Sequence, residues 1–171
     1  MFDPTVFENL KVAFENHIYD LDNLSGRIHI TNRIDRLEMS TLSREFALLF
    51  ELVGQQGITA EIRLEASLHD LASEILELPG DPPGCTLLLR FYMEIANIPE
   101  QCRRIEELLL NIWEQEVPPV QTLSFVYGHE RPVHSNCIEL PFHRKINENQ
   151  MGDIPDLIDH ALRTLVELGN V

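Results

Sequence analysis

Three histidines and a cysteine lie close together in this chain: His129, His134, Cys137 and His143, with Glu130 and Glu139 beside them. Imidazole, thiolate and carboxylate are the donors zinc takes, three or four of them converging at about 2 Å. The spacing matches no zinc signature, and polar residues on a loop and an exposed strand account for it without a metal. Alternation would place Cys137 and His143 on one strand face. A small hydrolase or metal-dependent enzyme using the His129–His143 segment is the alternative this cluster keeps open.

Cys102 is the other chemical candidate. It falls in the second turn of a helix that starts near Asn97, next to Arg103 and Arg104, a setting that lowers a thiol pKa. It also shares the apolar stripe of Ile98, Ile105 and Leu109, which points to a buried structural cysteine. No G-x-S-x-G elbow, H-E-x-x-H helix or Walker-type glycine loop occurs. The carboxylate pairs Glu106–Glu107 and Asp156–Asp159 fall on solvent faces of helices, and Asp153 and Asp156 suit a helix N-terminus. No catalytic residue, metal ligand or cofactor is assigned.

The elements carrying these residues follow from periodicity. Asp3 and Pro4 cap a helix whose stripe is Phe7, Leu10, Phe14, Ile18 and Leu21. From Arg27 the period becomes two, with Ile28, Ile30 and Ile34 opposite Arg27, His29, Thr31 and Arg33. Ser40–Gln56 has Leu42, Phe46, Leu49 and Val53 at helical spacing; Phe46–Phe50 would also suit a buried strand, but length favours a helix ended by Gly54 or Gly57. Residues 58–66 alternate as a strand, and Ser67 with Asp70 starts a short helix. The Pro79–Gly84 stretch is a surface loop. Strand 85–95 and a helix from Asn97 through Trp113 follow, then strands over 120–127 and 136–146, and a last helix from Asp153. The predicted fold is one α+β domain over residues 1–171, in two layers. Its sheet has about five strands, mostly antiparallel or mixed, with helices on one face.

Composition narrows the function classes. The 171 residues carry 13 basic and 28 acidic side chains, a formal net charge of −15. Such a balance opposes binding to phosphate backbones or anionic lipid, so neither nucleic acid nor membrane is an expected partner. No apolar run approaches the roughly 18 residues of a membrane span. Three cysteines without a CxxC pair fit a reducing, cytoplasmic setting. Lysine is confined to Lys11 and Lys145, so the positive charge is almost all arginine.

Sorted by element, most of the acid falls on helices. The sheet face left bare by the helices would collect Arg27, His29, Arg33, Arg63, Arg90, Tyr92, Tyr127 and His143, with Leu88 and Phe125. Arginine and aromatic side chains are enriched at interface cores. A solvated face with cross-strand ion pairs is the plainer alternative. The expected function is a non-enzymatic interaction module, an accessory, inhibitor or regulatory protein, that docks a protein partner or a second copy in a homodimer through that face. Exposed Arg90 and Tyr92 should then be removable without loss of folding. For the His129–His143 cluster, elemental analysis of protein never exposed to a nickel column should find no stoichiometric zinc; one tightly held metal per chain would promote the enzyme alternative.

Overall fold

The computed structural model describes residues 5–80, 82–115 and 117–171. Helix α1 (Thr5–Asn23) leads into strands β1 (Ile28–Glu38), β2 (Ser43–Leu52) and β3 (Gln55–Ala66). Helix α2 (Leu68–Leu76), β4 (Thr86–Ile95), α3 (Ile98–Trp113), β5 (Val120–Ser124), β6 (His134–Leu140) and α4 (Ile154–Leu168) follow. The strands form one sheet in the order β1-β2-β3-β4-β6-β5, antiparallel throughout. Ser67 and Asp70 cap α2 reciprocally, as their spacing predicts. The proposed cap at Asp3–Pro4 lies outside the described residues.

Alternation decides which sheet face is covered. Phe46, Leu48 and Phe50 of β2 lie in register with Leu64, Ile62 and Ala60 of β3, and these with Leu87, Leu89 and Phe91 of β4. On this face pack the stripe Phe7, Leu10, Phe14 and Ile18 of α1 and Ile158, Ala161, Leu162 and Leu165 of α4. Ile105 and Leu109 of α3 complete the core. Burying each of the phenylalanine, leucine and isoleucine side chains among these stabilises the fold by about 1.5–3 kcal/mol relative to exposure.

Residues 40–56 correct the sequence reading. They are the strand β2, the turns at its ends and the first two residues of β3, which is why the sheet has six strands where five were expected. β2 is an interior strand, and its alternate residues Ala47 and Leu49 are apolar as well, so the run looks continuous and its period of two is hidden. Gly54 ends no helix; at φ 85° it turns the chain from β2 into β3, a conformation that suits glycine. The last two strands are shorter than predicted. β5 stops at Ser124, and β6 stops before Pro141, which has no amide donor for a ladder.

β1 carries a bulge between Ile30 and Asn32 that reverses its phase. Beyond it Arg33 and Asp35 lie in register with Leu48 and Phe46, on the helix-covered face. There they clamp α1: Arg33 pairs with Glu15 at 2.6 Å and Lys11 with Asp35 at 2.7 Å, while Arg44 pairs with Glu8 and lies over the Phe7 ring. Burial opposes the charge on Asp35, but the bond from Lys11 and the nearby Arg44 hold its carboxyl below the usual range. At the outer edge, the N–H groups of Ile30 and Arg33 donate to the side-chain oxygens of Asp22 and Asn32.

Phe50 and Val53 separate the strand from the rejected helix. Phe50→Ala should cost about 3–5 kcal/mol in urea denaturation, because Phe50 is fully buried. Val53→Ala, at a turn residue 62% exposed, should change stability by under about 0.5 kcal/mol.

Candidate functional site

The face opposite the helices is bare, and its polar groups satisfy one another across the strands. Arg36 of β1 pairs with Glu45 of β2, which pairs with Arg63 of β3. Arg63 donates to Glu61 at 2.5 Å, and Arg90 of β4 reaches both Glu61, at 3.4 Å, and Glu139 of β6, at 2.6 Å. Tyr92 donates its hydroxyl to Glu61 at 2.7 Å. Glu61 is only 2% exposed. A buried carboxylate requires such partners. Burial and then the bond to Glu61 push the Tyr92 phenol above its ordinary range. For Arg90, burial works against the charge, but Glu139 and Glu61 outweigh it and raise its pKa.

Of the expected docking residues, Arg63, Arg90 and Tyr92 meet on this face. His29 joins it through its pairing with Glu51. Arg33 does not, because the β1 bulge turns it toward α1. Arg27 precedes β1 and stays exposed at the sheet margin, where its carbonyl accepts from the N–H of Val53. Tyr127 is 96% exposed in the β5–β6 loop, and Phe125 sits in that loop too, because β5 ends before either residue.

Charge on the face is also the reverse of what the arginines alone suggest. Glu38, Glu45, Glu51, Glu61, Glu65, Glu94 and Glu139 share it with Arg36, Arg63 and Arg90. Glu61, Glu65 and Glu94 occupy the same alternate positions as Arg63, Arg90 and Tyr92, so the pattern that located the arginines also located them. Between Glu51 and Glu94 the face sinks into a depression of about 350 Å³ lined also by Thr59, Tyr92, Ser135 and Cys137.

The histidine cluster does not assemble. His129 lies in an exposed loop, His134 begins β6 with its ring edge-on to Phe125, and Cys137 faces the open side in register with Tyr92. His143 lies past the end of β6, so it does not share a strand face with Cys137. Among the described residues, no three of His, Cys, Asp and Glu are placed to hold a metal ion. Burial pushes all three thiols up, Cys85 to about 12, which favours the protonated form. Cys102 is half-buried, with Gln121 bonded to its carbonyl.

A second concavity opens on the helix side. About 520 Å³ lies between α1, the C-terminal end of α3, the segment after β6 and the start of α4, over a floor that includes Phe14 and Leu87. Among the described residues, no helix is long and apolar enough to cross a membrane. No family model, curated protein or solved structure matches the chain.

Because Glu61 depends on them, Arg90 and Tyr92 are not the neutral surface positions that the sequence suggests. Their joint replacement by alanine should cost about 1–3 kcal/mol in urea denaturation at pH 7, with circular dichroism retained. Tyr92 is held in its neutral form, so its contribution is complete below about pH 10 and is lost as the pH rises further. The advantage of the parent over Tyr92→Phe should shrink correspondingly in alkaline titrations; an advantage that grows instead would contradict the Tyr92–Glu61 bond.

Proposed function

We propose that the chain is a non-enzymatic protein-interaction module, an accessory, inhibitor or regulatory protein, whose open sheet face receives a basic segment of a protein partner. The observation that carries this reading is the surplus of glutamate left on a bare face after the arginines are paired. Arg36, Arg63 and Arg90 are all bound to carboxylates of the same face, so they are not free anchors for an acidic partner. Glu51 and Glu94 flank a depression of about 350 Å³, with room for a lysine or arginine side chain. Leu49 and Leu88 add apolar contact between the charged rows.

A formal charge of −15 speeds encounter with a positive partner and works against nucleic acid. A second copy docked on this face would oppose like charges, so the reading favours a different, basic protein over a homodimer. Such a module works in the reducing cytoplasm that three unpaired cysteines suit.

The test is affinity capture from the native cell, with mass-spectrometric identification, run in parallel with parent and Glu51→Lys/Glu94→Lys protein. Neither residue is buried, so the variant should keep the parent's circular dichroism. The parent should recover a basic protein whose binding weakens with added salt, and the variant should lose it by at least about tenfold. A variant that folds and keeps every partner of the parent defeats the proposal, as does an apparent partner that proves to be the chain itself.

A further inference from the structure

The two edges of the sheet are built differently. An edge strand carries unpaired backbone donors and acceptors, and proteins blunt such edges with charge, bulges or proline. β1 has a bulge and the charged residues Arg33, Asp35, Arg36 and Glu38. β5 has none of these within the strand. It pairs with β6 alone, and among the described residues no other hydrogen bond reaches the backbone of residues 120–124. Alternate residues of β5 therefore turn free N–H and C=O groups away from β6.

The sequence around this edge is also unlike the rest of the chain. Between Glu116 and Glu130 no aspartate, glutamate, lysine or arginine occurs, the longest such interval in a chain of net charge −15. Its ends are apolar and exposed: Val117 and Val120 at one, Phe125, Val126 and Tyr127 at the other, with Gln121, Thr122 and Ser124 between them. A stretch with that pattern matches itself when reversed. An antiparallel copy centred on Thr122 sets Val120 beside Ser124 and brings Phe125, Val126 and Tyr127 of each chain toward Val117 and Pro118 of the other. Elsewhere on the surface a second copy meets like charge. Here the nearest carboxylate of the open face is Glu139 on β6. Across the joined edges the two Glu139 strands lie three strand spacings apart, about 14 Å. Salt screens charges over about 8 Å, so little repulsion remains.

We infer that β5 pairs antiparallel with β5 of a second copy about a two-fold axis at Thr122, joining the two sheets into one. A contact of about a dozen residues a side is roughly half the standard interface, so the dimer is a weak one. The open face of each copy stays free, and Glu51→Lys/Glu94→Lys leaves this pairing intact; a second copy held at β5 is thereby told apart from a partner docked on the face, which that variant loses.

Sedimentation equilibrium of the purified chain at low salt, up to about 200 μM, tests the pairing. The parent should dimerise reversibly. Thr122 is exposed, so Thr122→Lys and Thr122→Glu should keep the parent's circular dichroism. Each sets like charges opposite one another on the axis and should weaken dimerisation by about fivefold, while an equimolar mixture of the two variants should restore it. Val126→Asp/Tyr127→Asp, at exposed loop residues outside the strand, should also weaken it and keeps the test decisive if a Thr122 variant does not fold. A parent that stays monomeric, variants that dimerise as the parent does, or a mixture no tighter than either variant alone would each overturn the assignment.

Discussion

A charge taken as far out of water as the Glu61 carboxylate, 2% exposed near the middle of the sheet, persists only where other groups replace the lost hydration. Three do so here, Arg63 from its own strand and Arg90 and Tyr92 from the next. Their positions fix much of the bare face. Arg63 has to lie flat to reach Glu61 and Glu45, and Arg90 spans from Glu61 to Glu139. Ala47, in register between Ile34 and Arg63, is fully buried although no helix covers it. The face is therefore ordered by its own charges, and a network of this kind holds register as well as contributing energy.

The strands that alternate between a greasy and a polar face were legible in the sequence, and so were the helices with one apolar stripe. β3 and β4 fall where their period of two places them, and the Ser67–Asp70 pair caps α2 as its spacing implies. β2 was not legible because its outward side chains at the centre, Ala47 and Leu49, are as apolar as its inward ones. The fate of Arg33 was hidden for a different reason. One inserted residue in β1 reverses every side chain after it, and a bulge has no compositional mark in this stretch. Tyr127 was placed on the sheet by extending a pattern past the point where β5 stops.

The candidate sites were legible to different degrees. Alternation located Glu61 and Glu94 along with Arg63, Arg90 and Tyr92, but only pairing distances reveal which charges are spent internally and which remain. The cavity could not be read at all. Its lining comes from positions as distant as Phe14, Leu87, Gln115 and Leu157, drawn together by the packing of α1 and α4 over the sheet. Of the histidines crowded in the sequence at 129–143, His129 and His134 line one depression at the end of β6, while the turn after β6 carries His143 to the helix-side cavity.

The capped amides of β1 have a consequence for how an assembly based on this sheet would end. An edge strand with free donors is a template on which further strands can stack, and that growth has no natural stop. Here Asp22 and Asn32 occupy the donors of Ile30 and Arg33, and at the opposite margin Pro118 and Pro119, which have no amide hydrogen, directly precede β5. A further strand therefore finds no free donor at Ile30 and Arg33, which weakens the β1 edge as a template for backbone pairing, a contact nearly blind to sequence.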